Sequence, residues 1–228
     1  MAVKKLFWTD PYLCECDAVV TSAEGNTVTL SHTVAYAFEG GQQSDSGTIG
    51  GQNILEAVRD GMEIFYHLPD GHGLKTGDNV RVAIDQAKRY RIMRLHFAAE
   101  LVLELVYQNF GHPEKIGANI TDEKARVDFM WDGNISETFP VIEPMLKDMT
   151  DKDMDITSGF EDETTERRYW EIKGFAKVPC GGTHIRKTSE VGRLSLKRVN
   201  PGKGKERIEI TLADYKREPK PPFCYFDC

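Results

Sequence analysis

No stretch of this sequence approaches the roughly 20 consecutive apolar residues that a membrane helix requires. A helical membrane protein is thereby set aside. Cysteine is scarce and odd in number: Cys14, Cys16, Cys180, Cys224 and Cys228 are spread over 228 residues. That pattern does not make a disulfide framework and leaves metal ligation as the question to ask. Positive charge is also in short supply, since 29 Lys and Arg stand against 36 Asp and Glu for a formal net charge of −7. Indiscriminate coating of nucleic acid does not fit that balance. The opening Met-Ala-Val-Lys-Lys-Leu-Phe-Trp-Thr-Asp has neither a following apolar run nor a small-residue cleavage site, so a cytoplasmic location is expected. What is present is ordinary globular composition, 40 % hydrophobic and 29 % charged, in a chain long enough for two small domains.

The charge is unevenly placed. Lys147 to Glu166 holds eight acids against two lysines and reads as a solvated connection. Ile185 to Lys220 reverses the sign, with eleven Lys and Arg against five acids, including Pro201-Gly-Lys-Gly-Lys205. Such a segment is either an ordinary charged face or the place where a phosphate-bearing partner is met.

Periodicity divides the chain. Cys14, Cys16, Ala18 and Val20 alternate with Leu13, Glu15, Asp17 and Val19, and Glu24-Gly25-Asn26 turns the chain toward Val28 and Leu30. Asp60-Gly61 predicts a second hairpin between Ile54 to Val58 and Met62 to Leu68. Between them, Tyr36 to Gly47 is too rich in Gly and small polar residues for a strand. Short strands with tight turns predict a small β-barrel over residues 1–85. Asp85 then caps a helix predicted to run to about Phe110, where Gly111 and Pro113 stop it. His112 reads as part of that stop. The remainder mixes a short helix around Val141 to Met149 with strands near Ala125 to Trp131, Arg168 to Ile172, Arg193 to Val199 and Arg207 to Leu212. The expected fold class is α+β, with residues 86–228 forming an α+β second domain.

Two features carry chemistry. His96, Glu100 and Glu104 recur every four residues, so their side chains stack on one face of an otherwise apolar helix. The stripe either faces water or chelates a divalent metal from one rigid element. Downstream, Pro179-Cys180-Gly181-Gly182-Thr183-His184 spaces a thiol and an imidazole four apart across a double glycine, so that both can aim at one point. His96, Glu100, Cys180 and His184 together make a complete four-ligand set suited to zinc. Cys14 and Cys16, alternating on a strand, read as core. Cys224 and Cys228 lie in a Pro-rich tail that reads as a disordered or loosely docked end, ahead of the alternatives that they pair or cap a second ion.

These elements resemble the editing domain shared by alanyl- and threonyl-tRNA synthetases and its free-standing AlaX relatives. His96-Phe-Ala-Ala-Glu100 and Cys180-Gly-Gly-Thr-His184 are similar to the family's paired metal elements. The family's Thr-Ala-Phe-Tyr-Pro-Glu-Gly-Gly-Gly-Gln-Pro-Ser-Asp-Thr-Gly aligns without gaps from Thr33, with Thr33, Tyr36, Gly40, Gly41, Gln42, Ser44, Asp45 and Gly47 matching. Glu123-Lys-Ala-Arg126-Val-Asp128, Thr188-x-Glu190-x-Gly192 and Lys203-Gly-Lys205 extend the likeness over nearly the whole chain. The sequence departs from the family at Glu100, where a second helix His is usual, at Phe97 for a Thr or Ser, and at Ala37, Phe38, Glu39 and Gln43 in the Gly-rich segment.

The resemblance implies an editing-type second domain and one Zn2+ held by His96, Glu100, Cys180 and His184. It further implies hydrolysis of the ester of a mischarged alanine tRNA carrying serine or glycine. Gln42 and Glu100 would serve the chemistry, with Gly40, Gly41, Gln42 and Thr183 at the substrate and Arg89 and Arg91 on acceptor-stem phosphates. The rival expectation is a catalytically reduced, zinc-containing tRNA-binding protein. A third is a structural zinc whose removal unfolds the second domain.

Overall fold

The computed structural model describes residues 2–214, a mixture of many strands and few helices. Cys224, Cys228 and the basic residues Lys216, Arg217 and Lys220 lie outside the described residues.

The alternating N-terminal pattern folds as read. Cys16, Ala18 and Val20 point into a core while Glu15, Asp17 and Val19 face out along the strand Glu15–Glu24. Gly25, at φ +61°, turns that strand into Thr27–Leu30. The Asp60-Gly61 turn pairs Glu56–Asp60 with Glu63–His67 in register from Asp60 opposite Glu63 to Glu56 opposite His67. These strands join Asn79–Ile84, Gly47–Ile49 and Gln52–Asn53 in one seven-stranded sheet. The expected barrel is corrected to a curled half-barrel, because the strands at the two ends of the sheet, Gln52–Asn53 and Glu56–Asp60, do not pair with each other. Val20, Val28, Leu30, Ile49, Ile64, Tyr66, Leu68 and Val82 fill its concave side.

The helix Gln86–Asn109 is capped by Asp85, whose carboxylate accepts the amide of Lys88 at 2.9 Å, satisfying one of the orphan donors of the first turn. It stops at Phe110, followed by Gly111 at φ +74°. Its apolar residues are buried on nearly every side, because a four-stranded antiparallel sheet packs against it together with the helix Phe139–Asp151 and a three-stranded antiparallel sheet. The four-stranded sheet runs in the order Lys115–Ile120, Ala125–Met130, Lys205–Leu212, Leu194–Gly202. The three-stranded one runs Thr157–Asp162, Arg167–Ile172, Ala176–Pro179.

The acidic stretch expected to be a solvated connection is instead part of this body. It supplies the end of the helix Phe139–Asp151 and the strand Thr157–Asp162. Its last acid, Glu166, is largely buried between Lys5 at 2.7 Å and Arg59 at 2.8 Å. Two cations from the N-terminal part of the chain therefore neutralise this one carboxylate.

The two hydrophobic clusters meet across buried polar contacts. Arg89 near the start of the long helix reaches back to Asp45, to the carbonyl of Val34 at 2.6 Å and to that of Pro11 at 3.0 Å. Tyr12 donates to Glu190, whose Oε1 also accepts the amides of Arg186 and Lys187 at 3.0 Å each. These contacts hold the Gly-rich segment over the middle of the long helix.

Candidate metal centre

Three elements converge at one point. The long helix presents His96 and Glu100. The strand Ala176–Pro179 delivers Cys180 and His184 on the turn that follows it, and the Gly-rich segment delivers Gln42. The donor atoms of His96, Cys180 and His184 all lie within 4.8 Å of one another. Glu100 Oε1 is 3.2 Å from His96 Nε2 and 3.5 Å from Cys180 Sγ, so the carboxylate borders the same point. The last member of the polar stripe, Glu104, lies one turn further on and does not join the cluster.

Close approach explains the glycines. A Cβ on Gly182 would sit 2.0 Å from His96 Cε1 and 2.7 Å from Gln42 Oε1, so only glycine lets the Cys180 loop lie on the imidazole. Gly41, at φ +88°, would place a Cβ 2.6 Å from the carbonyl oxygen of Ala118. Its segment is strapped to the strand Lys115–Ile120 by Ile120 N donating to Gly41 O at 2.8 Å and Gln43 N to Ile120 O at 2.9 Å. That strap drives Gln42 inward until it is 1 % exposed.

The surrounding groups orient the donors. Gln42 Oε1 accepts from His96 Nδ1 at 2.6 Å and from the Thr183 amide at 3.0 Å, while its Nε2 donates to Thr183 Oγ1 at 3.0 Å. Nε2 of His96 is then the atom left toward Cys180 and Glu100. Ser158 Oγ bonds Nδ1 of His184 at 3.1 Å, and Nε2 of His184 is buried with no hydrogen-bond partner. A buried imidazole nitrogen without a partner is costly unless it has an electrophile to meet. The Trp170 indole donates to Glu100 Oε2 at 3.2 Å, leaving Oε1 for the centre.

Electrostatics follow from burial. Burial, then the charge at His96, brings His184 down to about 3, so it is a neutral donor. Burial acts to raise the Glu100 carboxyl, but the His96 hydrogen bond and charge, His184 and Trp170 together override it and hold it at about 2. Burial, reinforced by the neighbouring Glu100, pushes the Cys180 thiol well above its usual value. Two imidazoles, a carboxylate and a thiol that would ionise on ligation are an N, O and S set that suits zinc. The residues therefore fit the ion that the sequence led us to expect.

Other expected site residues are placed differently. Arg89 is 2 % exposed and committed to Asp45, Val34 and Pro11, so its expected contact with phosphate is corrected: it ties the half-barrel to the helix. Arg91 lies at the surface of the helix, 3.1 Å from Asp122. Thr183 and Gln42 face each other in the interior rather than an open cleft. Gly40 is exposed and Gly41 half-buried, the latter against the backbone of Ala118. Phe97 is fully buried against Trp170 and His184, with ring centroids at 5.1 and 5.7 Å, and forms the back wall of the centre.

Sequence reasoning passed over Trp8, Ser158, Arg168 and Trp170. Trp8 Nε1 donates to the carbonyl of Gly181 at 2.7 Å, and Arg168 packs over the Trp8 and Phe160 rings at 5.2 and 4.5 Å. Their roles arise only from tertiary placement, and no local pattern marks them.

Comparison with known proteins agrees with this geometry. Residues 169–209, which include Cys180 and His184, match the family model described as the threonyl and alanyl tRNA synthetase second additional domain. The chain is 31 % identical over 213 residues to the alanyl-tRNA editing protein AlaX-M of Pyrococcus horikoshii, covering 92 % of this chain and 97 % of that protein. It is 31 % identical over 242 residues to AlaX-M of Methanosarcina acetivorans, covering 92 % and 98 %. A similar likeness, 29 % over 227 residues, is found to the alanine–tRNA ligase of Methanococcus maripaludis, where it covers 90 % of this chain and 25 % of that much longer protein.

Proposed function

Because this chain belongs to the AlaX-M family of alanyl-tRNA editing proteins, we propose that it hydrolyses the ester of alanine tRNA wrongly charged with serine or glycine. The observation that carries this reading is the convergence of His96, Cys180 and His184 within 4.8 Å, with His184 Nε2 buried and unpartnered. These three residues and Glu100 would hold one Zn2+ ion. That ion supplies Lewis acidity toward the ester carbonyl or an attacking water.

The protein's own residues set the geometry. Gln42 fixes His96 with Nε2 toward the centre, Ser158 does the same for His184, and Trp170 fixes Glu100. Glu100, the one hard oxygen donor of the set, is the ligand that would loosen to admit substrate. Gly40 and Gly41, which flank the buried Gln42, would offer main-chain donors toward a developing oxyanion. Lys197, Lys203 and Lys205 stand exposed on the hairpin of Leu194–Gly202 and Lys205–Leu212 and would meet acceptor-stem phosphates.

The test is deacylation of seryl- and glycyl-tRNA for alanine by the wild type and by Cys180→Ala, with metal content measured on protein purified without added metal. Rapid release by the wild type, a loss of at least a hundredfold in Cys180→Ala, and about one zinc per chain are expected. Equal and negligible rates would establish the zinc-containing tRNA binder instead. Unfolding of the second domain on chelation would establish a structural ion.

A further inference from the structure

The loop that carries Cys180 and His184 is gripped from the N-terminal side by a buried residue that the chemistry above does not use. Trp8, on the short helix Leu6–Thr9, is 8 % exposed, and its indole Nε1 donates to the carbonyl of Gly181 at 2.7 Å. An indole N–H is a lone donor that must find a partner when buried. This partner sits between Cys180, a donor of the centre, and Gly182, which lies against the His96 ring. The Thr183 amide, held by Gln42 at 3.0 Å, is the next fixed point of the loop. Trp8 and Gln42 thus fasten the backbone on either side of Gly182.

The indole is in turn held by charge. Lys5 Nζ, Arg59 Cζ and Arg168 Cζ lie 5.2, 5.3 and 5.2 Å from its ring centroid. An aromatic ring attracts a cation over its face, the more so out of water. Lys5 and Arg59 share Glu166, so both have an anionic partner. Arg168 does not. It is 5 % exposed, and its Nε is buried without a hydrogen-bond partner. Its guanidinium instead donates to the carbonyl of Trp8 at 3.2 Å and packs on Phe160 at 4.5 Å. A buried guanidinium without a carboxylate is expensive to keep, so what it holds matters. Arg168 grips the loop twice. Its own carbonyl accepts the Cys180 amide at 2.9 Å, and its side chain holds the Trp8 that holds Gly181.

The structure assigns Trp8 as a positioning residue for the metal loop: it pins Gly181 so that Cys180 stays within reach of His96, and Arg168 locks the pin. Trp8 acts through Gly181 alone. The inference rests on the four-ligand metal reading and adds that the N-terminal segment is a working part of the centre. Without the pin, a loop with two adjacent glycines regains backbone freedom that ligation must then remove. With it, the donors are set before the ion arrives.

Two variants of the full chain test this. Trp8→Phe keeps a ring among the cations and deletes the N–H. Arg168→Lys keeps a cation on the rings, loses the planar fork, and decides alone if Trp8→Phe does not fold. Each is compared with the wild type by zinc competition with a chromogenic chelator and by the sulfur-to-cobalt charge-transfer band after loading with Co2+. Hydrogen exchange of residues 180–184 in the metal-free protein and the urea midpoint are measured alongside. We expect Trp8→Phe to weaken zinc by about tenfold, to shift the cobalt band and to speed exchange in the loop by about tenfold while the rest of the chain keeps its protection. Arg168→Lys should move all three in the same direction. A lower urea midpoint with wild-type zinc affinity, cobalt band and loop exchange would leave Trp8 a purely structural role and overturn the inference, while the metal centre stands. If the wild type binds neither ion but loop exchange still quickens in the variants, the metal reading fails and the pin stands.

Discussion

The side-chain oxygen of Gln42 lies 2.6 Å from Nδ1 of His96, although the two residues are 54 positions apart in the chain. An amide oxygen only accepts, and this one also accepts from the amide of Thr183, so Nδ1 must carry the hydrogen. Gln42 thus acts on the centre through His96 and is a positioning residue. Gln42→Ala is expected to weaken zinc binding by about 10- to 100-fold, measured by competition with a chromogenic chelator. Gln42→Glu, which still accepts from Nδ1, should recover most of that loss. An affinity unchanged in Gln42→Ala would remove the positioning role.

Arg89 and Asp45 form a buried ion pair between the helix and the Gly-rich segment, with Asp45 Oδ2 also accepting the Tyr36 amide at 2.7 Å. Removing one partner strands the other's charge in the interior, a loss of about 3–5 kcal/mol. Arg89→Met should therefore lower the urea midpoint strongly, while folded Arg89→Met should bind tRNA with an unchanged salt dependence. A reduced salt slope without loss of stability would return Arg89 to the phosphate contact that the sequence suggested.

Gly182→Ala tests the packing of the metal loop. The added carbon would meet the His96 ring at 2.0 Å, and both neighbours are fixed by hydrogen bonds, so the loop must lift. Zinc content should fall to a minor fraction while the rest of the far-ultraviolet circular dichroism persists. Full zinc occupancy in Gly182→Ala would show that the loop approaches His96 less closely than it does here.

How far the sequence reveals this molecule depends on the range of the interaction concerned. The cap at Asp85, the turns at Gly25 and Gly61 and the pair Cys180 and His184 are local, and local chemistry marks them. The burial of Glu166 is not local: it depends on Lys5 and Arg59, more than 100 residues away in the chain, and an acidic run by itself reads as solvated. Arg89 misleads for the same reason, since an arginine ahead of a ligand-bearing helix looks free until Asp45, Val34 and Pro11 are seen around it. His112 shows a third kind of failure, because a residue after a helix-ending glycine carries no sign that its ring will lie flat on Tyr107.

The metal-free protein should gain stability with rising pH through the acid range. His184 is held at about 3 in the folded chain against an ordinary value of 6.5, so between those values the unfolded chain binds a proton that the folded chain refuses. Stability then rises with pH across that window, at up to about 1.4 kcal/mol per pH unit, and levels off above 6.5. Glu100, held at about 2 against 4.5, adds a slope of the same sign only below pH 4.5. Urea unfolding of chelator-treated protein between pH 4.5 and 6.5 isolates the histidine. His184→Gln should flatten the curve there, and an unchanged slope would place the titrating group elsewhere.

Zinc binding should depend on pH in a way that identifies Cys180. Its thiol is pushed well above the usual value by burial and by Glu100, so at neutral pH the metal-free site carries a proton on sulfur. Ligation needs the thiolate, and the ion must displace that proton. His184 is already neutral there and releases nothing. Affinity should therefore rise by about one logarithmic unit per pH unit from pH 7 to 8.5, with about one proton released per zinc. Calorimetry in two buffers of different ionisation enthalpy counts that proton directly. Cys180→Ala should bind more weakly and lose the release, whereas a wild type whose zinc affinity is flat over this range would mean that sulfur is not a ligand.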